Sequence, residues 1–192
     1  MRNKELEIKN VKHEDNWQQV KDATMNTIGK NTGKYPDSAW KKQLLLCEHS
    51  PIRLIKFYWR WVNLKYWVSV HFTRHKFGVE HFITTQRTDR TGINRDELGQ
   101  GTLVNHAIEA NAQSLINISR KRLCMCASKE TREAWQKVKD EVAKVEPELA
   151  SCMVPECIYR GFCPEMFGCG FDKTAKYRNN LQNYRDIHTY IN

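Results

Sequence analysis

The chain has 192 residues, 40% of them hydrophobic and 28% charged, the balance of one globular domain with a core that needs no disulfide framework, not of a disordered or fibrous chain. With 31 Lys and Arg against 22 Asp and Glu it carries a net charge of +9. That surplus implies an anionic partner or a solvated basic surface and, without a long Lys/Arg block, ranks phosphorylated small molecules above nucleic acid. No run approaches the roughly 20 apolar residues that span a bilayer, and Met1 to Glu7 lack the apolar core of a secretory signal, so a cytoplasmic protein without membrane contact is expected. Seven cysteines in that setting point to reduced thiols or a metal site.

In chain order, Leu6 and Ile8 alternate with polar neighbours as in a short strand, and Trp17, Val20, Ala23 and Thr27 then recur at helical spacing. Asp37 is placed to cap a helix through Ala39, Trp40 and Leu44 to Leu46, with Pro51 just beyond its end. Leu54 to Val62 reads as a half-buried strand with Phe57, Trp59 and Trp61 on one face. Those rings are core or, if exposed beside Lys56 and Arg60, platforms for stacking bases. A turn at Asn63 to Lys65 leads to a helix with Trp67, Val70, His71 and Arg74 on one face. Further helices are expected over 112–122 and 128–145, the latter with Ser128 as N-cap and an apolar stripe of Trp135, Val138, Val142 and Val145. From Lys173 on, Tyr177, Leu181, Tyr184, Ile187 or His188, and Ile191 keep helical spacing; this tail docks on a neighbour or packs on its own domain. No repeat or linker composition divides the chain, so a single domain over 1–171 with a helical tail over 172–192 is expected.

The densest polar cluster is Thr73-Arg74-His75-Lys76, followed by Gly78 and then Thr84-Thr85-Gln86-Arg87. Cations flanking a histidine, with hydroxyls and a further arginine downstream, bind phosphates through charge-assisted hydrogen bonds or form a basic loop facing water. Gln113, Asn117 and Lys121 lie one turn apart on one helix face with Arg122 at its end; the amides offer both donors and acceptors to a ring edge. His71 and His75 have the spacing of a metal-binding pair, but no glutamate follows His71, and the cysteines at 152, 157, 163 and 169 lack paired Cys-x2-Cys knuckles. No metal is assigned.

Arg74-His75-Lys76 with Thr85-Gln86-Arg87 resembles, with one inserted residue, the Arg-His-Arg and Ser-x-Arg signature of flavin-dependent thymidylate synthases; without the insertion Thr84 takes the serine's place. His49-Ser50-Pro51-Ile52-Arg53 is similar to that family's His-x-Thr/Ser-Pro-Phe-Glu turn. Asn111-Ala112-Gln113 through Asn117 to Arg122 resembles its Asn-Ala-Arg element and the helix ending in Leu-Arg. The stretch Pro155 to Gly170 resembles its Cys-rich C-terminal segment.

The resemblance implies an α+β fold with a central mixed or antiparallel sheet flanked by helices, and a homotetramer with shared active sites. It implies FAD as cofactor, with NADPH and methylenetetrahydrofolate as cosubstrates for converting dUMP to dTMP. Carried over position by position, Ser50, Arg74, His75, Lys76, Asn111 and Asn117 would face FAD, and His71, Thr84, Thr85, Arg87 and Arg122 the nucleotide, with Arg122 stabilising charge on the uracil. This chain departs from the pattern at Lys76, Gln113, Lys121 and Arg53, and only residues 88–110 separate Arg87 from Asn111, where the family places several helices and another phosphate-binding arginine; Arg90 or Arg95 are the candidates here. The rival reading is a nucleotide- or flavin-binding relative without catalysis or with altered specificity.

Overall fold

A computed structural model describes residues 5–31 and 33–189. Its centre is a four-stranded, wholly antiparallel sheet in the order β1-β2-β4-β3, with β1 at Glu7–His13, β2 at Lys56–Lys65, β3 at Val79–Ile83 and β4 at Leu103–Asn111. The helices are α1 Trp17–Asn26, α2 Ser38–Leu46, α3 Tyr66–Thr73, α4 Thr88–Thr91, α5 Ala112–Arg122, α6 Lys129–Val145, α7 Pro147–Cys152, α8 Glu156–Arg160 and α9 Ala175–Thr189. This is the expected α+β architecture, with the sheet antiparallel throughout.

Alternation puts Phe57, Trp59, Trp61 and Leu64 of β2 and Val104, His106, Ile108 and Ala110 of β4 on the covered face. Helices α3, α5 and α6 pack on that side. Trp59, Trp61 and Trp135 meet edge to face or tilted, with centroids 5.5–6.3 Å apart. Each such ring contributes roughly 2–3 kcal/mol by leaving water. Trp61 donates to the Ala134 carbonyl at 3.2 Å and Trp135 to Ser119 Oγ at 2.8 Å. The tryptophan stripe is therefore core, not a base-stacking platform.

At the far end, Trp17 Nε1 donates to Glu146 Oε2 at 2.8 Å, while His13 stacks on Phe57 and meets Glu146 Oε1 at 2.8 Å. His13 Nδ1 lies 3.3 Å from the Lys56 carbonyl. Both ring nitrogens thus face acceptors, which favours the doubly protonated form. Burial opposes this, but the bonds to Glu146 and Lys56 outweigh it, and the His13 pKa is raised.

Several local expectations hold in detail. Asp37 accepts from the Trp40 amide at 2.8 Å as N-cap of α2, and α5 spans the expected residues. Others are corrected. Asn63 to Lys65 is not a turn: β2 runs through it with a register shift between Trp61 and Leu64, absorbed by Asn63 in the left-handed region at φ +61°. The buried face of α3 is Val68, Ser69 and Phe72, because Phe72 stacks on Trp61 at 4.5 Å, leaving His71 half-buried and Arg74 exposed. Ser128 occupies the N-cap position of α6, yet its hydroxyl bonds Thr131 Oγ1 and caps no amide. Val145 is exposed at the helix end. Strands β3 and β4 occupy stretches with no expected element. The tail helix α9 packs on α8 of its own chain, burying Tyr177 and Ile187; Ile191 and the side chain of His188 lie outside the described residues.

Candidate functional site

The turn Arg74–Gly78 leaves α3 and is stapled onto the start of α5. Asn111 caps α5 by accepting from the Ser114 amide at 2.9 Å, and Ala112 N donates to the Ile55 carbonyl at 2.9 Å. Ser114 Oγ reaches the Phe77 carbonyl at 2.7 Å, and the Asn111 amide donates to the Gly78 carbonyl at 3.1 Å. Gly78 sits at φ +67°, and a Cβ there would fall 2.2 Å from Asn111 Nδ2 and 2.6 Å from Ser114 Oγ. Only glycine lets the turn lie this close. Between turn and helix is a cavity of about 130 Å³ lined by Arg74, His75, Lys76, Phe77, Ser114 and Asn117, among others. Phe77 stands 95% exposed beside it.

Arg122, at the other end of α5, donates from Nε to His75 Nε2 at 2.9 Å and from Nη2 to the His71 carbonyl at 2.6 Å. A guanidinium has no acceptor, so His75 Nε2 carries a lone pair and the ring is the neutral Nδ1–H tautomer. Burial, with Arg122 and His81 nearby, pushes the His75 pKa down to about 4. Burial and the Arg74 charge lower that of Arg122, and burial with both arginines lowers that of His71. His71 Nδ1 lies 2.9 Å from Thr131 Oγ1 on α6. His81 Nε2 donates to the His75 carbonyl at 2.8 Å, and its Nδ1 is 3.0 Å from Nε2 of His106. His106 is fully buried, and burial, then His81, push it down to about 3. His106 Nδ1 is buried and has no hydrogen-bond partner among the described residues.

Around this turn the fold gathers His71, Arg74, His75, Lys76, Asn111, Asn117 and Arg122. Ser50 is exposed on the 3-10 turn Ser50–Leu54, which packs on α5. Thr84, Thr85 and Arg87 lie at the opposite end of β3, roughly 17 Å along the strand from Val79. Thr84 bonds the Asn105 carbonyl, Thr85 Oγ1 accepts from the Arg87 amide, and Arg87 grips Asp89 through two bonds of 2.8 and 3.0 Å. Arg90 also leans toward Asp89, and Arg95 is exposed. Lys121 is exposed, 3.8 Å from Glu165. Sequence reasoning missed Glu48, His81, His106 and Arg120. Glu48, at φ +49°, accepts from Gln113 and from Arg120, whose guanidinium lies 3.6 Å over the Tyr159 ring. All seven cysteines are free thiols, and among the described residues no group of three or more His, Cys, Asp or Glu is placed to hold a metal ion. No described helix is long and apolar enough to cross a membrane.

The fold is shared with the solved structures of a UMP/dUMP methylase and a thymidylate synthase. A UMP/dUMP methylase, PolB, from Streptomyces cacaoi, solved with 5-Br dUMP, superposes with a TM-score of 0.60 at 13% identity, covering 82% of this chain and 95% of its own. Thymidylate synthase X from Helicobacter pylori, solved with FAD and dUMP, superposes with a TM-score of 0.57 at 12% identity, covering 78% and 98%. No family model and no curated protein sequence matches the chain. At these identities the likeness is one of fold.

Proposed function

We propose that the protein is a flavin-dependent enzyme that binds FAD and dUMP, or a related pyrimidine deoxynucleotide, and methylates the uracil ring with methylenetetrahydrofolate as carbon source and NADPH as reductant. The supporting observation is the convergence of Arg74, His75, Lys76, Asn117 and Arg122 on one preformed turn-and-helix site, in a fold shared with two nucleotide-bound structures. The donor set fits FAD in part: the cavity accommodates a phosphate or a ring edge, not a whole flavin. The rest of each ligand would have to extend beyond the cavity, past exposed Phe77 or onto a second copy of the chain.

In this reading Arg74 and Lys76 hold anionic oxygens, Asn117 meets the cofactor, and Asn111 fixes the turn through its cap. Bound FAD supplies the electron transfer that completes the methyl group. Neutral His75 orients Arg122, whose Nη1 is used by neither of its two bonds and would be the group to stabilise negative charge developing on the uracil. His71 and Ser50 border the ligand. Thr84, Thr85 and Arg87, too far from this turn to serve it, complete the site of a neighbouring subunit in a homotetramer, which gives the separation of the two anion-binding stretches a purpose.

Purified protein mixed with FAD and freed of excess is expected to keep the flavin absorption bands and to convert dUMP when NADPH and methylenetetrahydrofolate are supplied. Arg122→Ala is expected to abolish dUMP binding in calorimetry with the fold intact; unchanged affinity would reject its assignment. The pairing of Arg87 with Asp89 favours a second reading, a pyrimidine-nucleotide or flavin binder of altered specificity. Folded protein that binds dUMP yet retains no flavin would favour its nucleotide-binding form, a relative that has lost the redox step.

A further inference from the structure

The cavity wall formed by α5 has an orientation fixed by chemistry. Arg120 Nη1 lies 3.1 Å from the side-chain oxygen of Asn117, and its Nη2 pairs with Glu48 Oε1. Because a guanidinium only donates, the Asn117 atom opposite it must be the oxygen. Gln113 repeats the constraint: the Glu48 carboxylate only accepts, so Gln113 turns its NH2 group to Glu48 Oε2 at 2.5 Å, and the same nitrogen is 3.4 Å from the Asn117 oxygen. The arginine is itself held fast, stacked on Tyr159, with side-chain exposures of 14% for Arg120 and 21% for Glu48. Glu48 keeps a left-handed backbone, uncommon for a residue with a Cβ, to reach this position.

We propose that Arg120, anchored by Glu48, is a positioning residue that locks the Asn117 amide with its NH2 group serving the cavity, so that the ligand atom met there is an acceptor. Most of the other polar side chains at that cavity agree. His75 has only its Nδ1–H to give, Arg74 and Lys76 only donate, and no carboxylate lines the space; Ser114, whose proton goes to the Phe77 carbonyl, is the one side chain there with lone pairs to offer. Opposite Asn117 the site therefore takes a carbonyl or phosphoryl oxygen, or an unprotonated ring nitrogen, and disfavours an amine edge, which would set N–H against N–H there. This deepens the function proposed above and rests on the cavity being a ligand site. The acceptor belongs to the flavin or to the nucleotide, and the two are tested apart.

Asn117→Asp is the decisive variant. It keeps an oxygen opposite Arg120, now charged, and replaces the NH2 group on the cavity side with a second oxygen. Its melting temperature is expected to equal or exceed that of the parent. Its affinity for FAD in one titration, or for dUMP in the other, is expected to fall at least about tenfold, the loss of a hydrogen bond to a well-fixed partner together with carboxylate repulsion. Unchanged affinity for both ligands overturns the proposal.

If the parent protein binds neither ligand, the functional reading fails, and the lock is judged on the ligand-free protein by NMR. The Asn117 side-chain NH2 signal, identified by its absence from Asn117→Asp, is expected to shift in Arg120→Met and to return in Arg120→Lys, which restores a group that only donates. A signal that stays in place in Arg120→Met overturns the lock.

Discussion

Two stretches that carry cations flank β3, and they are built by opposite means. The turn Arg74–Gly78 is fixed by distant residues: Ser114, 37 positions on, holds the Phe77 carbonyl, and Arg122, 47 positions on, holds His75. The stretch from Thr84 to Gln100 bonds mostly to itself, over two to seven residues, as in Arg87 to Asp89, Asp96 to Asn94 and Arg95 to Thr88. The first is held by the fold before any ligand arrives, so binding there costs little ordering entropy. The second is local turn chemistry on exposed side chains, free to re-pair when a partner comes. One half of the candidate site is preformed and the other is in waiting.

The most damaging way to break that contrast is Gly78→Ala. A left-handed backbone and a Cβ driven into Asn111 and Ser114 are expected to cost about 2–4 kcal/mol in urea unfolding and to abolish flavin retention. Gly92→Ala, also at positive φ but with nothing within 4 Å of its Cβ, is expected to cost about 1 kcal/mol. Equal losses would mean that the Arg74–Gly78 turn is no more tightly seated than the loop.

Next in size is the dependence of melting temperature on pH, which has opposite limbs at the two ends of the sheet. His75 and His106 are held neutral, with pKa values of about 4 and about 3 in the folded protein against 6.5 unfolded. The unfolded chain therefore binds protons first, and stability falls as pH drops from about 6.5 towards 3. His13 has a raised pKa; its bond to Glu146 contributes fully below pH 6.5 and is lost as pH rises through the raised value. His106→Asn should make the acid limb shallower, with the His75 contribution remaining, and His13→Asn should do so for the alkaline one. An acid limb unchanged in His106→Asn would remove the buried histidine from the account.

How much of this was open to sequence reading follows the same local-versus-distant divide. The Asp37 cap and the aromatic face of β2 are periodic or adjacent signals and were legible. So was α5, whose cap and basic end lie within eleven residues. Strand β4 was not: its inward slots are Val104, His106, Ile108 and Ala110, and a histidine in an apolar slot hides the alternation. The bulge at Asn63 looked like a turn because both need the left-handed backbone that asparagine tolerates. The motif residues from 71 to 78 and 111 to 122 were found through their resemblance to a family signature, since their composition alone reads equally as a solvated basic surface. Glu48 and Arg120, 72 positions apart, share no spacing that would pair them; only folding brings them together.

A smaller effect tests how the preformed half is sealed. Ser114→Ala removes the bond to the Phe77 carbonyl and is expected to cost about 1 kcal/mol, with weakened flavin retention at unchanged dUMP affinity. Equal weakening of both ligands would place the turn in contact with the nucleotide as well.

The smallest stability change, and the sharpest probe of the half in waiting, is Asp89→Ala. Arg87 and Asp89 are mostly exposed, so their pairing contributes little, and unfolding should move by no more than about 0.5 kcal/mol. The guanidinium fork, however, is then freed for a phosphate. Calorimetry with dUMP is expected to show severalfold tighter binding in Asp89→Ala and weaker binding in Arg87→Ala. Were Asp89→Ala to weaken binding as Arg87→Ala does, the ion pair would be part of the bound state. The distal stretch would then be as preorganised as the proximal one, its short-range bonds being the bound geometry and not a resting one.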